Sequence, residues 1–148
     1  MKLLRIGPKS KERPAILDKN GKMRDISPIV KDLNPDFLNF ELIKKISKIN
    51  PESLDEISVH ERVGSCISKP GKFIAIGLNY SDHAAETGAT PPSEPIIFMK
   101  STSSICGPND DIEIVSNSKK LDWEVELGIV IGKNAKHINE NQSQDHIL

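Results

Sequence analysis

The sequence predicts an α+β fold of short strands and short helices, and three observations lead to this prediction. Short apolar runs bounded by Gly, Pro, Asn and Asp recur along the 148 residues, which is typical of strands joined by turns. Apolar residues at three-residue spacing predict an amphipathic helix over residues 40–49, stopped at Asn50 and Pro51. A polar break at residues 68–72 separates a small N-terminal domain, residues 1–66, from a second domain, residues 67–148.

The first elements of the N-terminal domain are strands. Residues 2–6 alternate enough to form one strand, and residues 15–17 form a second short apolar run. Residues 18–22 carry the Asn-Gly chemistry of a tight turn. This part of the chain therefore predicts a small hairpin or meander.

The second domain opens with a continuous apolar run. Residues 73–78 predict a strand buried on both faces. Ser81 is expected to N-cap a short helix that runs through Glu86, with Gly88 in the position of its C-terminal cap.

Further strands are expected at 96–99, 111–115 and 121–131. Asn139 and Gln142 occupy capping-box positions and predict a helix that starts near the end of the sequence. The secondary structure is thus mixed β with short helices.

Composition excludes several classes of protein. A net charge of −1 and an aromatic content of 4% disfavour nucleic-acid binding. No stretch approaches the roughly 20 apolar residues of a membrane span, and no signal peptide opens the chain, so we expect a soluble cytoplasmic protein.

The two cysteines, Cys66 and Cys106, are expected to be buried thiols in a reducing compartment. The histidines at 60, 137 and 146 are expected at the surface.

The most informative stretch is 121–131. On a strand, Asp122, Glu124 and Glu126 share one face and apolar residues share the other. Converging carboxylates suit a hard cation such as Mg²⁺, Mn²⁺ or Ca²⁺. The alternative is an antiparallel strand with one solvated face and no metal.

A second group of polar residues follows the strand at 73–78. If Ser81 opens a helix, His83 and Glu86 are neighbours three residues apart, and the carboxylate can orient the imidazole as a base for water. The alternative is an exposed helical turn in which His83 has no role.

Lys100, at the end of the strand 96–99, could hold an anionic substrate or stabilise an enolate. The alternative is that Lys100 is a solvent-exposed residue at the end of the strand, with no role in binding.

Four separated blocks occur in a recognisable order: residues 73–86, residues 94–100, Gly107-Pro108 and residues 122–128. Together they resemble the fumarylacetoacetate hydrolase family. The N-terminal residues 4–8 and 13–18 are similar to members that act on 2,4-diketo sugar acids or are labelled ureidoglycolate lyase. The resemblance implies a mixed, strongly bent β-roll preceded by a small N-terminal domain and assembled as a dimer.

The resemblance also implies roles for individual residues. Glu124 and Glu126 would ligate a divalent cation, Mg²⁺ or Mn²⁺ with Ca²⁺ as an alternative. His83 with Glu86 would activate water from a lid segment, and Lys100 would face the substrate. The family's third metal ligand, an Asp, lies beyond Leu148, so the resemblance predicts an incomplete catalytic domain and a chain that is inactive alone.

The implied reaction is the hydrolysis of a carbon–carbon bond in an acylpyruvate-like or 2,4-diketo acid through a metal-chelated enolate. The expected partner is a small oxo acid, with no nucleic acid and no membrane. One alternative is a metal-dependent lyase, decarboxylase or isomerase of a small oxo acid. Another is a catalytically silent fragment.

Overall fold

The computed structural model describes residues 1–148, and the chain divides into two compact units. One unit combines Met1–Ser68 with Cys106–Leu148, and the other is Lys69–Ile105. The fold is small and mixed α/β, with few helices and small sheets, as the sequence predicts. The assignment of domains to residues 1–66 and 67–148 stays a prediction.

The N-terminal meander is confirmed and has three strands. Strands β1 (Leu3–Ile6), β2 (Arg13–Leu17) and β3 (Met23–Asp25) form an antiparallel sheet in the order β1-β2-β3. The central strand β2 buries side chains on both faces, because successive residues of a strand point to opposite sides. Ile16 therefore packs in one apolar cluster and Ala15 in another.

The turn between β2 and β3 has the predicted chemistry. The Asp18 carboxylate accepts hydrogen bonds from the backbone N–H groups of Asn20, at 2.8 Å, and Lys22, at 2.9 Å. Gly21 has a φ of 77°, a left-handed conformation that glycine adopts without a steric penalty. Local side-chain bonds of this kind make the turn readable from sequence.

Helix α1 spans Phe40–Ile46, a shorter range than the predicted 40–49. The Asn39 side chain caps its first turn by accepting a hydrogen bond from Leu42 N at 2.9 Å. Ile46 is buried and joins the cluster of Ile16, Ile26, Val30 and Leu33. The last predicted turn, before Asn50 and Pro51, is not helical in the structure.

The unit Lys69–Ile105 contains a two-stranded antiparallel sheet and a short helix. Strand β4 (Phe73–Gly77) pairs with β5 (Ile96–Lys100), and helix α2 (Ser81–Glu86) lies between them in sequence. The strand predictions are confirmed, but the expected burial of β4 on both faces is wrong, since only Ala75 is buried. A strand with one neighbour has little apolar cover, and an isolated pair of strands is marginally stable in water.

The segment after residue 105 differs most from expectation. Residues 111–115 and 121–130 belong to no sheet, so the two predicted strands are wrong for this structure. A 3₁₀ helix spans Glu140–His146, and its capping box of Asn139 and Gln142 is confirmed. The backbone N–H and C=O groups of a strand must pair with a neighbouring strand. The alternating sequence pattern of these residues does not show whether such a strand is present.

Three side chains lie where the sequence analysis did not expect them. Cys66 and Cys106 are exposed, because both lie in loops outside the apolar clusters. His146 is buried, with its Nδ1 atom 3.2 Å from the carbonyl oxygen of Lys133.

None of the helices combines the length and the apolar character that crossing a membrane requires.

Candidate active site

The acidic pair lies on a segment outside regular secondary structure. Glu124 and Glu126 are both exposed, and neither carboxylate takes part in an ion pair. Asp122 turns back on the chain, since its Oδ1 accepts a hydrogen bond from Trp123 N at 2.9 Å. Both glutamates are thus free to act as oxygen ligands, whereas Asp122 is engaged locally.

The next residues are held by antiparallel pairing. Ile131 forms an isolated bridge with Ile147, Gly132 N donates to the His146 carbonyl at 2.9 Å, and Leu148 N donates to the Val130 carbonyl at 2.9 Å. Pairing therefore begins at Val130, four residues after Glu126.

A partly buried ion network lies earlier in the chain than this segment and joins residues 5, 12, 32, 62 and 110. The Arg62 guanidinium donates to both Asp110 carboxylate oxygens, at 2.7 and 2.6 Å, and to Glu12 Oε1 at 2.8 Å. Arg5 donates to the second oxygen of Glu12 at 3.3 Å and to Asp32 at 2.6 Å. Bidentate pairing of this kind is the strong geometry for Arg and a carboxylate.

The network sets the charge states of its acids. Hydrogen bonds from Arg62 and from Gly107 N–H lower the pKa of Asp110 to about 2. Burial of Glu12 raises its pKa, but the hydrogen bond from Arg62 and the charges of both arginines outweigh that effect, so the pKa is lowered. The network keeps Asp110 ionised and ties residues 107–110 to Arg62 and, through Glu12, to Arg5 of the N-terminal sheet.

Sequence reasoning missed this network. Arg62 and Asp110 are 48 residues apart in sequence, and Arg5 and Asp32 are 27 apart. No local spacing pairs these residues, so only the fold could reveal the contact.

His83 and Glu86 lie on helix α2, as predicted. Their three-residue separation places them on neighbouring positions of the helix surface, and both are exposed. The imidazole and the carboxylate are not hydrogen-bonded to each other. The His83 carbonyl accepts bonds from Thr87 N at 3.2 Å and Thr87 Oγ1 at 3.0 Å, and Gly88 follows with a φ of 69°.

Lys100 is the last residue of β5. The register pairs it with Phe73, whereas the chain leaves β4 toward α2 after Gly77, which pairs with Ile96. Four residues of ladder, about 14 Å, separate the two ends. Lys100 therefore lies at the end of the sheet opposite to the one from which the His83 segment departs.

His83, Glu86 and Lys100 belong to one compact unit, and Glu124 and Glu126 to the other. A pocket shared by the two groups stays a prediction. No group of three or more His, Cys, Asp or Glu side chains could hold a metal ion. Two surface depressions, one lined by Asn139, Glu140, Asn141, Ser143 and Gln144 and one by residues of the stretch 29–45, contain none of the predicted site residues.

Comparison with known proteins gives the context of these residues. A protein from Burkholderia ambifaria, named "Putative hydrolase", is 51% identical over 147 residues, which are 99% of this chain and 52% of that protein. A protein of the same name from Burkholderia orbicola is 50% identical over the same shares. The chain thus spans about half the length of these relatives, and their names support a hydrolase-type function.

A solved structure and a family profile agree with the relatives. The fumarylacetoacetate hydrolase from psychrophilic Exiguobacterium antarcticum superposes with a TM-score of 0.75 and 26% identity, over 99% of this chain and 52% of that one. Residues 72–148, more than half of the chain, match the family profile described as fumarylacetoacetate (FAA) hydrolase C-terminal. The sequence blocks, the fold and these matches agree, and the chain belongs to the fumarylacetoacetate hydrolase family.

Proposed function

We propose that the protein to which this chain belongs hydrolyses a carbon–carbon bond in an acylpyruvate-like or 2,4-diketo acid with the help of a divalent cation. The observation that supports this most is positional. All five predicted site residues fall within the stretch 72–148 that matches the family: His83, Glu86, Lys100, Glu124 and Glu126.

Glu124 and Glu126 would hold the cation. Their carboxylates are exposed, outside every ion pair and one residue apart, and carboxylate oxygens are the donors that Mg²⁺ and Mn²⁺ prefer. When bound, the ion would supply charge stabilisation for the negative oxygen that develops on the substrate. Two carboxylates leave most ligand positions to water, so this chain alone should bind the ion weakly.

The other residues would handle the proton and the substrate. In the proposed reaction His83 takes a proton from water, and Glu86 orients the imidazole for that transfer. The water oxygen forms a bond to the distal carbonyl carbon, and the adjacent carbon–carbon bond breaks. Its electron pair passes into an enolate, which takes up a proton to give a 2-oxo acid beside a carboxylic acid. Lys100 would hold the substrate carboxylate through its ammonium group.

The test uses a chimera in which this chain replaces the matching 52% of the Burkholderia ambifaria relative. Glu124→Gln combined with Glu126→Gln should abolish Mn²⁺ binding measured by calorimetry. Glu113→Gln, a change at another exposed acid, is the matched control and should bind Mn²⁺ normally. Unchanged affinity in the double variant would remove the two glutamates from the metal site.

The same chimera tests the proton acceptor. His83→Ala should lower the turnover of an acylpyruvate, measured by release of the 2-oxo acid, while Mn²⁺ affinity stays near that of the parent. Hydrolysis at the parental rate would exclude His83 from the mechanism.

A further inference from the structure

The segment 121–131 exposes an unusual amount of apolar surface. Trp123 is 83% exposed and Val125 is 80% exposed. The same holds for every second residue of the segment: Leu121, Leu127, Ile129 and Ile131 are each more than half exposed. Contiguous exposed apolar side chains in a soluble protein mark a surface that another group covers.

The pattern of this segment predicts what covers it. Apolar residues alternate with Asp122, Glu124 and Glu126, and a period of two matches a strand with one apolar and one acidic face. Residues 121–129 belong to no sheet, and backbone pairing begins only at Val130, near the end of the segment. A strand added beside it would extend that pairing, and the polypeptide that carries the added strand would cover the apolar face.

The length of the relatives identifies the source of that strand. This chain covers 52% of the Burkholderia ambifaria protein and 52% of the Exiguobacterium antarcticum structure, while nearly all of this chain is matched. The matched half therefore folds in these relatives together with a second half of similar length.

A second copy of this chain fits the segment less well. Antiparallel pairing of two copies about Glu124 would place Glu124 opposite Glu124 and Asp122 opposite Glu126. Like charges directly opposite each other destabilise a pair of strands. The segment thus disfavours its own copy and favours a strand with an apolar inner face and neutral or basic residues opposite the acids.

We infer that residues 121–131 form a docking strand for the polypeptide that corresponds to the half of the relatives not covered by this chain. The apolar face of Trp123 and Val125 is buried by that polypeptide. The acidic face of Glu124 and Glu126 stays open. This inference does not depend on the proposed reaction, because it concerns the face opposite the carboxylates.

Trp123 is the single tryptophan of the chain and reports on its own burial. The chain is labelled with 5-fluorotryptophan and purified alone or with the uncovered half of the Burkholderia ambifaria relative, co-expressed so that the two fold together. The expected result is a shifted ¹⁹F resonance and a severalfold loss of relaxation by a soluble nitroxide.

Two variants at neighbouring positions separate the faces. Val125→Asp should weaken the complex by about tenfold or more, equivalent to about 1.4 kcal/mol, because a charge replaces a side chain that docking buries. Asp122→Asn changes the acidic face and should leave the complex intact. Since Val125 is 80% exposed in the chain alone, the thermal unfolding of that variant alone should match the parent.

Four results would overturn the inference. One is a Trp123 ring that stays accessible to the nitroxide in the complex. A second is a half that does not co-purify although the full-length relative folds. A third is a Val125→Asp complex as tight as the parent. The fourth is protection of Trp123 that grows with the concentration of this chain alone, which would assign the surface to a second copy. None of these measurements involves metal or turnover, so they are independent of the proposed function.

Discussion

Replacing Gly107 by Ala should destabilise the fold through one backbone contact. A Cβ atom at this position would overlap the Val63 carbonyl oxygen, with Asp110 Oδ2 at 3.0 Å and Gly64 Cα at 3.1 Å. The nearest atom belongs to the backbone and cannot rotate away, so residues 106–110 would have to move. That movement would strain the bond from Gly107 N to Asp110, now 2.7 Å, and the Arg62–Asp110 pair. Overpacking of this kind costs about 1–3 kcal/mol.

The assay is thermal unfolding followed by circular dichroism. For a unit of this size, each kcal/mol lowers Tm by about 4 °C, so a loss of about 4–12 °C is expected. Gly71→Ala is the matched control, because a Cβ at Gly71 has no atom within 4 Å, and its Tm should stay near that of the parent. If both variants melt together, residues 106–110 do not pack against the backbone of residues 63–64 as described.

Two further predictions concern the core and the ion network. Leu33→Ala, at a fully buried position, should lower the free energy of unfolding in urea by about 2–5 kcal/mol, whereas Val59→Ala, at an exposed one, should change it by less than about 0.5 kcal/mol; equal effects would contradict the assigned core. The Arg62–Asp110 pair should contribute stability above pH 3.8, the ordinary pKa of an aspartate, and lose it as the pH falls toward about 2, where Asp110 is protonated in the fold. An acid titration of the parent should show this loss and that of Asp110→Asn should lack it; identical profiles would show that the pair does not stabilise the fold.

Elements with local signals were predictable. The turn at residues 18–22 depends on Asp18 and Gly21, which act within four residues of each other. Helix α2, Ser81–Glu86, was predicted with its N-cap one residue late, at Ser81 instead of Tyr80, and the capping box near Asn139 was also found. In each case the stabilising hydrogen bonds join residues that lie a few positions apart in sequence. Both partners are therefore visible in the local sequence pattern.

The strands β4 and β5 were predicted, but features that depend on which distant segments come together were not. The exposure of β4 depends on how many strands flank it, and the apolar run in its sequence does not indicate that number. Residues 121–130 have a strand pattern and form no strand, because pairing is a property of two segments. The contact of Arg62 with Asp110 likewise joins residues that no spacing rule connects.

The candidate site depends on the same distinction. Residue types and spacing single out Glu124 and Glu126 as ligands, but their alignment on one face requires the segment to become a strand. Docking and metal binding would then be linked, because an ion that binds aligned carboxylates more tightly must also favour the docked strand by the same factor. The sequence has an apolar residue after each acid, as such a link requires. Trp123 and Val125 would contact the docked polypeptide while Glu124, between them, would be held toward the ion. Ordering of this segment would therefore strengthen the metal site of the assembled protein, in addition to the effect of ligands that the two carboxylates alone leave to water.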